Sequence, residues 1–355
     1  MEPKLVDPID DSITLPAGRE HRHRPARPTL KTISEITGLG VTTVSRALKD
    51  GPELRRETRA RVQAVAAELG YRPDRAGVRL RTGRTFVIGL ILDQTVAIAE
   101  FERQIVLGVS QALYGTPYHL VILPQIRDAD PMEPVRYFVE TAAADGIIFT
   151  HTRPLDERVR YLLDRRFPFI THGRTALGEP HPFYDYDTEG FVAAAAKRLH
   201  ERGRRRIALL PAPHYLTNAH HMLDGFRRAV AETGVEGTVI EGVHLDSEPA
   251  RFRRAANRIG AAAAPPDGII CANETGCIAL MAGLREAGLT VGRDVDVIAK
   301  SITDVLDYLS PPIDSFYEDH TFSGEELARL LLRRIAGAPV SELQSIAEPR
   351  FCRRT

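Results

Sequence analysis

Residues 29–54 read TLKTISEITGLGVTTVSRALKDGPEL, and the spacing of apolar residues in this stretch predicts two short helices set close together. Thr29 is placed to N-cap the first, Leu30, Ile33 and Ile36 share a face, and Gly38 stops it. Only Gly38, Leu39 and Gly40 separate it from a second helix, Val41 to Leu48, whose inward face is Val44, Ala47 and Leu48. Two short helices joined by a three-residue turn with glycine form the helix-turn-helix pattern, which lays its second helix in the major groove of DNA. Val41, Thr42 and Thr43 are small enough to let that helix seat deeply, and Ser45 and Arg46 are residue types that contact phosphates and base edges.

A third helix is predicted from Arg56 to Leu69, with an apolar stripe at Val62, Val65, Ala66 and Leu69, ending at Gly70-Tyr71. RPDRAGVRLRTGRT follows at 72–85, where Asp74 is placed to cap a short helix carrying Arg75, Arg79 and Arg81 around Ala76, Val78 and Leu80. Such a helix is too short to be stable alone. It orders on a surface that neutralises the arginines and accepts the leucine, as DNA does. In VTTVSRAL (41–48), RRETRARVQAVAAELGYRP (55–73) and DRAGVRL (74–80), the chain closely resembles the lactose/galactose repressor family of bacterial transcription regulators. The resemblance runs over nearly all of the chain from Thr29 on. It implies a homodimer on a pseudo-palindromic double-stranded operator, controlled allosterically by a small-molecule effector. Thr29, Val41, Thr42, Thr43, Ser45, Arg46, Arg75, Arg79 and Leu80 are the expected DNA contacts. Leu80 falls where the family inserts a leucine pair into the minor groove.

Charge divides the chain in the same place. The whole carries 47 Lys/Arg and 47 Asp/Glu, yet residues 29–84 hold 12 against 6, and residues 85–355 hold 30 against 36. A basic head on an acidic body puts any attraction to phosphate in the head. The remaining composition sets bounds. A length of 355 residues suffices for two or three domains. Three cysteines without a pairing pattern fit a reducing compartment, and Cys271 and Cys277 read as packing residues rather than a metal site. No apolar run approaches a membrane span and the N-terminus MEPKLVDPIDDS has no signal-peptide core, so the expected location is cytoplasmic with no membrane partner. Residues 1–28, ending HRHRPARP, read as a disordered extension in which Arg22, Arg24 and Arg27 have no assigned role.

From Phe86 the pattern becomes alternating strand and helix. FVIGLIL (86–92) is an apolar run expected of a buried parallel strand. A helix near 100–114, HLVILP, a helix near 134–143, DGIIFT and FPFITHG follow. A second series begins near Phe191 with a helix to Arg202. It continues through RIALLPA, a helix from His221 to Thr233, VIEGV, a helix near 251–261, GIICANE, a helix from Gly276 to Ala287, and VDVIAKS. A last strand is expected around Ser345 to Cys352. Repeated βα units imply parallel sheets with ligands at the carboxyl ends of strands. The expected fold is a small all-α helix-turn-helix head and an α/β two-lobe body, which the family resemblance makes periplasmic-binding-protein-like. Domain boundaries are expected at 1–28 (extension), 29–72 (head), 73–85 (hinge) and 86–355 (body). Within the body, lobe one spans about 86–185 and 318–340, and lobe two about 186–317 and 341–355.

Effector-binding candidates are polar residues just after strands. They are Asp93 (with Gln94), Thr150 (with His151), His172 and Arg174 on the first lobe, and Asn273 (with Glu274) and Ser301 on the second. Glu318 and His320 lie where the chain crosses between lobes. Planar polar side chains make the paired hydrogen bonds that hold sugars, and Arg174 and Asn273 match family ligand motifs. The sequence also departs from the family. Met222 stands where an Arg usually precedes the Gly225-Phe226 pair, and Ala299-Lys300-Ser301-Ile302 replaces a Gly-aromatic-Asp-Asp loop. Lys300 and nearby histidines are then candidates for different contacts, while His220-His221 reads as solvated. There is no GxxxxGK[ST], GxSxG or HExxH, so neither a catalytic set nor a cofactor or metal is expected. The resulting expectation is a sugar-responsive repressor of a carbohydrate operon, with an α-glucoside as the effector suggested by overall resemblance. A transport-system sugar-binding protein and a carbohydrate-active enzyme are the alternatives, the first needing a signal peptide and the second turnover of a sugar.

Overall fold

A computed structural model describes residues 28–72, 75–93, 99–126 and 129–352. The expectations for residues 1–27, Asp74 and Gln94, and for the side chains of Arg75, Ala76, Val78 and Arg81, lie outside the described residues. The chain divides into two compact units, 1–84 and 85–355.

The head consists of α1 (Leu30–Thr37), α2 (Val41–Ala47), α3 (Arg56–Glu68) and α4 (Arg75–Thr82). Thr29 caps α1 in a reciprocal box with Thr32, and Gly38 ends it in the left-handed conformation at φ 70°. Ile33, Val44, Ala47, Val62 and Ala66 form the core of the first three helices. Ile36, expected on the inner face, is 53% exposed. Thr37, four residues after Ile33, takes the inward place and donates its hydroxyl to the Ile33 carbonyl at 2.7 Å. Polar ties from α3 fix the arrangement: Arg61 donates to the Thr37 carbonyl, Arg59 to those of Gly51 and Leu54, and Gln63 to that of Ala47.

The body holds two six-stranded sheets. The first runs β11-β5-β4-β3-β1-β2, with β1 Val87–Asp93, β2 His119–Gln125, β3 Gly146–Phe149, β4 Phe169–His172, β5 Phe183–Tyr186 and β11 Gln344–Ala347. All its pairings are parallel. The second runs β12-β10-β9-β8-β6-β7, with β6 Arg206–Leu210, β7 Glu236–Val239, β8 Gly268–Cys271, β9 Asp296–Ser301, β10 Asp314–Tyr317 and β12 Arg350–Cys352. Only β12 is antiparallel there. The helices are α5 Ala99–Leu113, α6 Glu133–Glu140, α7 Glu157–Asp164, α8 Thr188–Glu201, α9 Thr217–Thr233, α10 Pro249–Gly260, α11 Glu274–Glu286 and α12 His320–Ile335.

The chain crosses between lobes after β5, after β10 and between β11 and β12. The last crossing corrects the expected lobe boundary, because β11 pairs with β5 in the first sheet rather than joining the second lobe. The single strand expected at 345–352 is two strands, one in each sheet. VIEGV was expected as a strand at 239–243, but β7 ends at Val239 and the chain turns at Gly242. Helices α5 and α12 approach unusually closely in the first lobe. A Cβ on Gly108 would lie 1.9 Å from the Thr321 carbonyl oxygen, and one on Gly324 would lie 2.5 Å from that of Ile105. Glycine is required at both positions by this contact rather than by backbone dihedrals.

Candidate functional site

On the head, α2 turns Val44 and Ala47 inward and leaves Val41, Thr42 and Arg46 exposed, with Thr43 and Ser45 half-buried. This is the outward face a groove-reading helix needs. Arg46 is paired only loosely, with Nε 3.7 Å from Glu53 and both side chains well exposed. Thr29 is exposed but its hydroxyl is engaged in capping α1. On α4, Leu80 is 89% exposed, an apolar side chain presented outward beside the exposed Arg79.

In the body, the carboxyl ends of both sheets enclose a cavity of about 180 Å³. His172, Arg174, Asn273 and Glu318 line it, as do His151, Glu274, His320 and Lys300. Three expected residues do not line it. Ser301 is fully buried against the Ser315 hydroxyl at 3.1 Å. Thr150 is buried beside it and meets the His151 ring at 2.8 Å, and Asp93 lies behind that ring, 3.8 Å from Nδ1. Side chains alternate along a strand, so Lys300 faces the cavity and Ser301 the other way. His221, expected to be solvated, lines the cavity, whereas its neighbour His220 is exposed. Met222 is fully buried in the second-lobe core. Phe101, Tyr186 and Thr217 also line the cavity and carried no signal in the sequence beyond their types.

The floor is a compact cluster. Lys300 Nζ lies 2.5 Å from Glu318 Oε2, and the other carboxylate oxygen is 3.5 Å from His320 Nδ1 and 3.9 Å from His172 Nε2. These two histidines and Glu318 bring ligand-type atoms within 4.8 Å of one another. Burial pushes both imidazoles down to about 4, so they are neutral near pH 7. Burial alone would raise the Glu318 carboxyl, but attraction from the groups around it outweighs this and holds it at about 2. With the imidazoles neutral, the Lys300 ammonium is the charge that keeps it ionised. The Phe101 ring meets His151, His172 and His320 edge to face, with centroids 5.7, 5.3 and 4.7 Å away. His172 Nε2, His320 Nδ1, the Tyr186 hydroxyl and the Thr217 hydroxyl are buried without a hydrogen-bond partner. Buried polar atoms without a protein partner call for one from whatever fills the cavity.

The walls are tied down. Arg174 Nε donates to Asp185 at 2.6 Å. Asn273 caps α11, accepting from the Gly276 amide and donating to the Leu245 carbonyl. Glu274 accepts from the Ile302 and Thr303 amides at 2.8 Å each. Hydrogen bonds from Gln104 Nε2 to the Ile302 carbonyl and from the Thr217 amide to the Thr152 carbonyl, both at 2.9 Å, span the lobes. His151 sits at the cavity rim at φ 55°, strained for a residue with a side chain.

A DNA-reading helical head joined in one chain to a two-lobe ligand-binding body defines a ligand-controlled DNA-binding regulator. Residues 29–74 match the family of bacterial regulatory proteins, lacI family, and residues 196–355 match the periplasmic binding protein-like domain. The chain is 32% identical to the HTH-type transcriptional regulator AglR of Rhizobium meliloti (strain 1021) over 85% of its own length and 86% of that protein. A solved complex of the transcriptional regulator CelR with cellobiose is 27% identical, with a TM-score of 0.66 over 92% of this chain and 99% of that one. The lac repressor dimer bound to operator and the anti-inducer ONPF shares the fold, with a TM-score of 0.79 at 19% identity, covering 92% of this chain and 98% of that one. The chain belongs to the lacI family and is a DNA-binding transcription regulator. Among the described residues no helix is long and apolar enough to cross a membrane.

Proposed function

We propose that this chain is a cytoplasmic repressor of a carbohydrate operon, without enzymatic activity, in which a sugar bound between the lobes sets operator affinity. The observation that carries the reading is the cleft between the lobes with its four buried, unpartnered polar atoms, in the place that repeated βα units reserve for a ligand. The CelR–cellobiose complex supports a sugar as the occupant. Residues on both lobes line the cavity, and the inter-lobe bonds at Gln104 and Thr217 lie at its edge. An occupant therefore biases how the lobes meet, and by linkage the operator affinity changes by the same factor as the effector affinity.

On DNA, Val41, Thr42, Thr43, Ser45 and Arg46 serve the major groove. Arg75 and Arg79 contact phosphates, and Leu80 enters the minor groove at the operator centre. A two-fold operator requires a two-fold dimer. Leu107 on α5 and Val121 and Ile122 on the edge strand β2 expose apolar surface on the first lobe, which supports an interface there. Light scattering checks it: the 39.3 kDa chain should have a mass of about 79 kDa in solution. The function itself is tested by thermal shift of the full chain against a panel of neutral sugars that includes maltose, trehalose, sucrose and cellobiose. The ligand that stabilises the chain must also change its affinity for operator DNA.

A further inference from the structure

We propose that the cleft is built for an uncharged polyhydroxyl ligand and rejects sugar phosphates and sugar acids, with the imidazoles of His172 and His320 reading hydroxyls at its floor. The inference rests on the reading of the cleft as the effector site and narrows the effector to one charge class.

The argument begins with the cations. Among the described lining residues only Arg174 and Lys300 carry a fixed positive charge, and each is already paired, Arg174 through Nε with Asp185 at 2.6 Å and Lys300 with Glu318 at 2.5 Å. Both carboxylates are buried. An incoming phosphate or carboxylate would have to share a cation whose charge already offsets a buried carboxylate, and would bring a second negative charge close to that carboxylate. The remaining acidic lining residues deepen the bias. Asp246 and Glu274 add carboxylates to the lining and Glu100 adds one that is paired with Arg103, so the lining holds five carboxylates against two cations and its charge disfavours an anion.

A hydroxyl meets the opposite situation. The four orphaned atoms are two imidazole nitrogens and two hydroxyls, which need partners that both donate and accept. Polyhydroxyl ligands supply both at close spacing, and the Phe101 ring beside the histidines offers apolar surface to the C–H face of a sugar ring. His172, Glu318 and His320 have the spacing of a metal site. However, the ammonium on Glu318 Oε2 would repel a dication bound to the other oxygen.

The experiment is calorimetry on the full chain with matched probes: glucose, maltose and cellobiose against glucose 6-phosphate, maltose 6'-phosphate and glucuronate, with zinc chloride as a separate titrant. The neutral member of the responding pair should bind about tenfold or more tighter than its anionic counterpart. His172→Phe and His320→Phe should each weaken it by about tenfold. Glu318→Gln, and independently Asp185→Asn, each free a cation and should move the neutral-to-phosphate affinity ratio about tenfold toward phosphate. Two freeing variants guard against one that fails to fold. Preferential binding of a phosphorylated or acidic sugar would overturn the charge argument while leaving the sugar-effector reading standing. Stoichiometric zinc binding that the His172 variant abolishes would overturn the hydroxyl-reading role. Binding of no sugar in either form would refute the effector reading itself.

Discussion

Arg46→Ala separates recognition from stability. In the head Arg46 lies on the exposed face of α2, 60% exposed, and its one ion pair, to Glu53 at 3.7 Å, is open to solvent. Losing such a pair costs between nothing and about 1 kcal/mol after solvent screening. Removing a cation from the last helical turn adds about 0.3–1 kcal/mol at most. The core residues Ile33, Val44, Ala47, Val62 and Ala66 are untouched, so the head should stay folded and lose at most about 2 kcal/mol of stability. A lost base-edge contact costs about 1–3 kcal/mol in binding, which is about 5- to 150-fold in Kd. The assay is fluorescence anisotropy at moderate salt, using an operator selected from a randomised duplex pool and an unrelated duplex as control. A base contact predicts a large loss on operator and a small one on the control. Equal loss on both, with a salt slope reduced by about one, would assign Arg46 to a phosphate. Operator affinity equal to that of the parent chain would refute the placement of α2 in the groove.

Leu80→Ser should abolish specific operator binding while sparing most of the salt-dependent binding to unrelated DNA, because an apolar wedge acts only where a base step opens. Gel-shift titrations on both duplexes check this, and parallel losses would dismiss the wedge. Asn273→Ala should weaken the response to effector and also lower the melting temperature. Its side chain both lines the cleft and caps α11, and a lost cap costs about 1 kcal/mol. A full effector response would remove Asn273 from the binding set. His181 in the first lobe is 3% exposed, and burial pushes its pKa down despite its bond to the Pro182 carbonyl. Below the ordinary histidine value the unfolded chain takes up a proton that the folded site resists. Stability is therefore lost as pH falls from about 6.5 toward the depressed folded value, by up to about 1.4 kcal/mol per pH unit for one proton. Denaturant midpoints of His181→Gln should fall less steeply with acid than those of the parent chain.

The head was legible almost residue by residue. Its elements are set by local signals, a Thr cap, a glycine stop and apolar residues at helical spacing, and these need no distant partner. Ile36 shows the limit, since in a two-turn helix either i+3 or i+4 can complete the inner face, and tertiary packing chose Thr37. The uniformly apolar strands β1, β3, β6 and β8 were readable for the same reason. FYDY at β5 and DSFY at β10 were not, because polar residues interrupt them, yet they carry the chain from one lobe to the other. The site was half legible. Position after a strand placed His172, Arg174 and Asn273, and the expected lobe crossing placed Glu318 and His320, among residues that line the cavity, but position does not say which way the pleat turns. Thr150 and Ser301 therefore fall off the cavity, while His151 and Lys300, named beside them, line it together with Thr152, which was not named. Phe101, Tyr186 and Thr217 reach the cavity from elements whose placement only the assembled lobes decide.

The central claim is that a ligand in the cleft and DNA on the head share one equilibrium. Its most direct measurement is the Kd of the full-length chain for its operator with and without saturating effector, paired with the effector Kd with and without operator. The account predicts that both change, and by the same factor. An effector that binds the cleft tightly yet leaves operator affinity unaltered would contradict it.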